Sequence, residues 1–202
     1  MSTSLRLLSI DARAFGRDRV ALARAVAAAE VDVACVHGSP HLLRWRSISA
    51  AIARRAGLVV VTGGRTAGAN LVLSTLGVDV VTVCDVRFAG GSALGGPGAA
   101  LAALRLRGSD FVVAAASLAG NGGERVAQVR ELERELAGLV PGEQPAVICA
   151  EGAERPEAPA WQALVENRVG VAGQLFVDGR LTVAAATELT GPRPAVTIHL
   201  EI

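Results

Sequence analysis

Apolar runs of strand length alternate with segments in which apolar residues recur every three or four positions. Continuous apolar runs bounded by turn residues predict buried strands, whereas the longer spacing predicts helices. On this basis strands are predicted over 5–10, 31–36, 58–61, 70–74 and 78–85. Helices are predicted over 47–56, over 124–139, and from Asp18, a favourable N-cap residue, to about Glu30. The first half of the chain is therefore predicted to alternate between strand and helix.

The second half is richer in turn signals. Residues 90–98 are dense in glycine and predict a loop. A hairpin is predicted for 99–107 with 111–116, and a second one for 173–177 with 181–186. Strands are also predicted over 145–149 and 196–202. Buried runs need cover on both faces and hairpins need antiparallel pairs, so the pattern favours a mixed α/β sandwich in one domain spanning 1–202.

Composition and charge exclude several classes of chemistry. The 20 basic residues are all arginine and are offset by 19 acidic residues, which leaves a net charge of +1. Without lysine the chain has neither a P-loop phosphate site nor Schiff-base chemistry such as that of pyridoxal phosphate. A near-neutral chain is not expected to bind nucleic acid or an anionic membrane surface in a general way.

Cysteine usage and the absence of long apolar runs indicate the compartment. Cys35, Cys84 and Cys149 are widely spaced, odd in number and inside apolar runs. They are expected to be small core residues in a reducing environment. The sequence shows neither a signal peptide nor an apolar run of about 18 residues. A cytoplasmic protein without a membrane-spanning segment is therefore expected.

Eight segments follow one another along the chain in an order that is typical of a known family: 5–11, 31–38, 68–75, 96–102, 111–118, 145–156, 172–177 and 191–196. Nearly from end to end, this order resembles the endonuclease/exonuclease/phosphatase family. The resemblance implies a four-layer sandwich of two packed mixed β-sheets flanked by helices. It also implies a site in which Mg²⁺ or a similar ion activates water for phosphoester hydrolysis, beside a histidine that is held by an aspartate.

Several family site positions hold other residues in this sequence. Carboxylates remain at Asp11, where the family has a metal-site asparagine, and at Glu151 in the segment that resembles the family's GDFN motif. The metal-binding glutamate position is Gly38, and a histidine position is Ser117. The amide of the GDFN segment is replaced by Ala153, and a later aspartate by Gly173. Pro192 and Arg193 stand where the family has its aspartate–histidine pair.

These departures favour a non-catalytic member of the family that is retained for binding or as a scaffold, with no confident catalytic residue and no cofactor. Arg193 would then give the former pocket an affinity for a small anionic molecule. The alternative is a residual Mg²⁺-dependent phosphodiesterase or phosphatase with Asp11 and Glu151 as metal ligands and His37 as an improvised base. The pattern favours a structural role over this alternative, with both carboxylates as strand-end residues that cap loops and His37 as a loop residue. A third interpretation, an unrelated α/β protein, predicts one sheet.

Overall fold

The computed structural model describes residues 3–40, 43–90, 96–139, 144–151, 168–171, 175–178, 180–189 and 195–202. In these ranges the α-helices are α1 (Arg19–Ala28), α2 (Trp45–Arg55) and α3 (Gly122–Leu139), and Ala12–Phe15 and Arg65–Ala67 form short 3₁₀ helices. The strands are β1 (Ser4–Asp11), β2 (Val33–His37), β3 (Val59–Gly64), β4 (Asn70–Ser74), β5 (Val78–Arg87), β6 (Gly98–Leu106), β7 (Ser109–Ser117), β8 (Ala146–Glu151), β9 (Arg168–Val171), β10 (Leu175–Asp178), β11 (Thr182–Leu189) and β12 (Ala195–Glu201).

The strands form two sheets. The first has the order β11-β12-β1-β2-β4-β3, and the second has the order β5-β6-β7-β8-β10-β9. Each is mixed, because β1 pairs with β2 in parallel and β7 pairs with β8 in parallel, while their other neighbours are antiparallel. Two sheets exclude the single-sheet alternative and confirm the predicted sandwich.

Alternation along the strands divides the apolar residues between three cores. In β1, Leu5 and Leu7 point into the cluster between the two sheets, whereas Leu8 and Ile10 point to the outer face. That outer cluster includes Leu22 of α1 and Ile52 of α2. A third cluster lies between the second sheet and α3. Since successive side chains of a strand face opposite sides, one strand can serve two cores, and the result is a helix–sheet–sheet–helix stack.

The helix predicted to start at Asp18 does so. The Asp18 carboxylate accepts a hydrogen bond of 2.9 Å from the backbone N–H of Ala21 and thereby caps α1. The predicted hairpin of 99–107 with 111–116 is also confirmed, because β6 and β7 pair antiparallel. In the described ranges, no helix combines the length and the apolar character needed to cross a membrane.

The predicted hairpin of 173–177 with 181–186 is wrong. β10 pairs with β8 and β9 in the second sheet, whereas β11 pairs with β12 in the first. The turn itself is present, with the Asp178 carboxylate accepting from the backbone N–H of Arg180 at 2.9 Å. A turn signal reports a local reversal of the chain but not the sheet that the next strand joins.

Cys84 also differs from expectation, since it is only partly buried while Cys35 and Cys149 lie in the core.

Replacing Leu7 by alanine should lower the free energy of unfolding by about 2–5 kcal/mol, because the side chain is fully buried between the sheets. The same change at Leu76, which is 86% exposed, should stay within about 0.5 kcal/mol of wild type. Chemical denaturation monitored by circular dichroism measures both values. Equal effects of the two substitutions would contradict the assignment of Leu7 to the inter-sheet core.

Candidate functional site

Polar side chains gather where the central strands of both sheets end. Asp11 is the register partner of His37 at the ends of the parallel strands β1 and β2. Ser117 is likewise the partner of Glu151 at the ends of β7 and β8. Asn70 begins β4, which runs antiparallel to β2 and so starts at the same edge. The topology therefore brings residues from distant parts of the sequence to one edge of the sandwich.

His37 is buried and both of its ring nitrogens have partners. Nδ1 lies 3.0 Å from Asn70 Oδ1, and Nε2 lies 3.2 Å from Ser9 Oγ. The Asn70 amide nitrogen donates to the carbonyls of Ala67 and Gly98, which identifies Oδ1 as the acceptor. His37 Nδ1 is thus the protonated nitrogen, and Nε2 accepts from the Ser9 hydroxyl. Neither nitrogen faces an open position from which it could take a proton.

Ser117 connects this network to Glu151. Its hydroxyl lies 2.9 Å from Asn70 Oδ1 and 3.2 Å from Glu151 Oε2. Both partners are acceptors, and the hydroxyl has one proton, so it donates to one of them at a time or is shared between the two. Ser117 therefore bridges a buried amide and a carboxylate at the rim.

Arg13 lies between the two carboxylates of the site. Its Nε and Nη2 donate to the two carboxylate oxygens of Asp11 at 3.0 and 3.1 Å, and Nη2 also forms an ion pair with Glu151 Oε1. The backbone N–H of Arg13 donates to Asp11 at 2.8 Å, which sets the turn into the following 3₁₀ helix. One guanidinium group therefore joins the end of β1 in the first sheet to the end of β8 in the second.

Gly38 leaves the space through which the Arg13 side chain passes. A Cβ built at Gly38 would come within 2.5 Å of Arg13 Cγ and 2.8 Å of Cδ. Gly38 also has φ +61°, a backbone conformation that glycine adopts without the penalty of an L side chain. The Arg13 side chain can therefore follow this path because position 38 has no side chain.

Exposure differs across the site. The Arg13 side chain is 58% exposed, whereas that of Glu151 is 13% exposed. Burial lowers the pKa of His37 below its ordinary value, and this effect exceeds the opposing influence of the Asn70 hydrogen bond and the Asp11 charge. His37 is accordingly a neutral, hydrogen-bonded imidazole.

The structure brings together Asp11, His37, Ser117 and Glu151 among the residues that the sequence singled out, and Gly38 adjoins them. The predicted positions 153, 173, 192 and 193 lie outside the described residues. His199 is exposed on β12. Sequence reasoning missed Arg13 and Asn70. Asn70 belongs to a segment that carries the family resemblance, and Arg13 stands two residues after Asp11, a spacing that would place its side chain beside that carboxylate in a turn.

The proteins that this chain matches are solved structures with a similar fold. No family model and no curated protein matches the sequence. An endonuclease/exonuclease/phosphatase family protein from Bacteroides thetaiotaomicron superposes with a TM-score of 0.77 at 14% identity, over 100% of this chain and 99% of that chain. The catalytic domain of human Nocturnin superposes with a TM-score of 0.74 at 15% identity, over 98% of this chain and 94% of that chain.

A third similar structure is the mannosyl-6-phosphatase Bt3783 of Bacteroides thetaiotaomicron, with a TM-score of 0.75 and 13% identity over 97% of this chain and 99% of that chain. The agreement covers nearly the whole of each chain, and the two six-stranded sheets match the architecture expected from the sequence. The chain has the fold of the endonuclease/exonuclease/phosphatase family.

The residues at the described site do not fit the divalent metal that this fold family implies. Mg²⁺ requires several oxygen ligands in near-octahedral geometry. Here the two carboxylates are paired with a guanidinium group, and Gly38 has no side chain to offer. Among the described residues no group of three or more histidine, cysteine, aspartate or glutamate side chains is placed to hold a metal ion. A cation binding between Asp11 and Glu151 would have to displace Arg13.

The lowered pKa of His37 predicts a loss of stability on mild acidification. The unfolded chain takes up a proton near pH 6.5, whereas folded His37 does so only at lower pH. The free energy of unfolding should therefore fall as the pH drops below about 6.5, by at most about 1.4 kcal/mol per pH unit. Urea denaturation between pH 5 and 8 measures this slope, in a window above the titration of ordinary carboxylates.

The slope should be reduced in His37→Asn, in which the amide can replace the Nδ1 donor, and retained in His199→Asn, which changes an exposed histidine. Both variants are compared with wild type across the same pH series. If His37→Asn kept the full slope, another group would be responsible and His37 would not be buried in its neutral form.

Proposed function

We propose that this domain is a non-catalytic binding module that keeps the endonuclease/exonuclease/phosphatase fold and uses Arg13 in place of a metal ion. The observation on which the proposal rests is the pairing of one guanidinium group with both Asp11 and Glu151. An arginine supplies positive charge to the carboxylates but has no open coordination position at which water could be activated.

Charge balance supports this role for Arg13. Asp11 and Glu151 together bring two negative charges to the same edge, and without a counter-charge they would repel each other. Arg13 offsets one of these charges and satisfies three of the four carboxylate oxygens. The fourth, Glu151 Oε2, lies within hydrogen-bond distance of Ser117. The pair of carboxylates is therefore accommodated by protein groups alone.

The hydrogen bonds of His37 and Ser117 support the same conclusion. His37, the residue considered as an improvised base, is buried with both nitrogens engaged. Ser117 supplies a hydroxyl that already interacts with Asn70 and Glu151. Loss of one general acid or base commonly lowers a rate by about 10²–10⁴, so the described residues favour binding over turnover. We assign His37 and Ser117 a structural role.

The phosphatase activity of similar proteins is a property of those proteins. Bt3783 is a mannosyl-6-phosphatase. Its likeness to this chain, at 13% identity, lies in the shared scaffold. The proposal assigns this chain a ligand-binding task on that scaffold, in a single domain acting in the cytoplasm.

Calorimetric titration with Mn²⁺ tests whether Arg13 occupies the position between the carboxylates that a metal ion would otherwise take. Wild type should bind no Mn²⁺ at the carboxylates, because Arg13 pairs with them. Arg13→Ala releases Asp11 and Glu151 and should create a weak site, with a dissociation constant on the order of 1 mM. Arg24→Ala, which removes an exposed arginine from α1, is the matched control and should behave as wild type.

Turnover is measured on the same proteins with bis(p-nitrophenyl) phosphate and p-nitrophenyl phosphate in the presence of Mg²⁺ or Mn²⁺. None of the three should hydrolyse either compound. Metal binding by wild type, together with hydrolysis that Glu151→Ala abolishes, would refute the proposal and establish a metal-dependent phosphoesterase instead.

A further inference from the structure

A cleft lies beside the carboxylate site, on the helical side of the first sheet. It consists of two adjoining hollows of about 420 and 470 Å³ that share Arg19, Leu43, Ile48 and Ile52 as lining residues. The first hollow extends along the 3₁₀ helix Ala12–Phe15 and the start of α1, and the second along α2. We call these two hollows together the α1–α2 cleft. Each has the size typical of a site for a small organic ligand.

The walls of the α1–α2 cleft are apolar. Phe15, Leu22 and Ile52 form its base and belong to the core beneath the helices. Ile48 is half-buried against that core, and Leu43 is 92% exposed at the mouth. A ligand with a hydrocarbon chain or ring would remove the exposed apolar surface of Leu43 and Ile48 from water, which favours binding.

The rim of the cleft is strongly basic although the chain as a whole is nearly neutral. Among the residues that the structure describes, five arginines line the two hollows against one acidic residue, Asp18, whose carboxylate caps α1. The five are Arg13, Arg17, Arg19, Arg44 and Arg55. In the part of the chain that the structure describes, only Arg13 of these takes part in an ion pair. Guanidinium groups without a carboxylate partner are suited to bind carboxylate or phosphate groups.

We propose that the α1–α2 cleft binds a small amphipathic anion, in which a hydrocarbon chain or ring carries a carboxylate or phosphate group. The apolar body contacts Leu43 and Ile48, and the anionic head pairs with Arg17 and Arg19. This inference rests on the proposed function only in taking binding as the task of the domain. It adds the class of ligand that the domain would bind. It uses none of the carboxylates of the neighbouring site.

Calorimetric titration of the full chain with decanoate and with decyl phosphate, both below micelle formation, tests the proposal. Saturable binding of one molecule per chain is expected for at least one of them, and the stronger of the two identifies the preferred head group. Neutral 1-decanol lacks the charge, and acetate and inorganic phosphate lack the chain, so each should bind at least about tenfold more weakly.

Two variants locate the ligand. Arg17→Gln/Arg19→Gln removes two guanidinium groups and should weaken binding about tenfold or more. Leu43→Asp places a negative charge at the mouth and should weaken binding by a similar factor, and since Leu43 is exposed the protein should still fold. Arg24→Gln, on the exposed face of α1, should leave the affinity unchanged. Thermal unfolding by circular dichroism confirms that each variant is folded.

The proposal is overturned if neither amphipathic anion binds, if 1-decanol binds as tightly as decanoate, or if the double arginine variant and Leu43→Asp both keep the wild-type affinity. These outcomes are distinguishable from a failure of the proposed function. A wild type that binds Mn²⁺ and hydrolyses phosphoesters but still binds decanoate at the arginines would refute the non-catalytic assignment and leave the α1–α2 cleft in place.

Discussion

The pairing of Arg13 with two carboxylates is the interaction on which the rest of the site depends. It connects the end of β1 in the first sheet with the end of β8 in the second. Two acidic side chains that converge at one edge repel each other unless a cation lies between them, and the chain supplies the Arg13 cation from the 3₁₀ helix that directly follows β1. The same 3₁₀ helix lines the α1–α2 cleft, so the ion pairs also position part of the wall of that cleft.

Below Arg13 a hydrogen-bond network around buried Asn70 connects the two sheets. Asn70 is central to it, because its amide group interacts with His37 and Ser117 and donates to two backbone carbonyls. Buried polar groups without partners are costly, so a network in which each member is satisfied makes one arrangement strongly preferred. At this edge of the sandwich the hydrogen bonds of Asn70 are therefore directed at other protein groups.

The sequence predicts those parts of the fold that depend on local pattern. Apolar runs predicted the central strands, and Asp18 predicted the start of α1, because strand burial and helix capping are properties of neighbouring residues. The reversal near Asp178 was also predicted, but β10 and β11 join different sheets. The choice of sheet depends on long-range pairing, about which a turn signal contains no information.

The site was predicted only in part for a similar reason. Asp11, His37, Ser117 and Glu151 end strands whose order the family resemblance supplies, so their convergence followed from the topology. The role of Arg13 depends on its reaching Glu151 in the other sheet and on the open space at Gly38. Such a contact between distant segments is not visible in the spacing of residues. The resemblance to the family predicts only that Gly38 lacks a ligand side chain, and the physical consequence, room for the Arg13 side chain, required the structure.

A crystal structure of the wild-type protein grown with excess Mn²⁺, with anomalous diffraction data, distinguishes a guanidinium group from a metal ion at this site. Density for the Arg13 guanidinium group is expected between Asp11 and Glu151, with no anomalous peak at that position. An anomalous peak within coordination distance of both carboxylates, with the Arg13 side chain displaced, would show that the site holds a metal and would refute the assignment of Arg13 as the counter-charge.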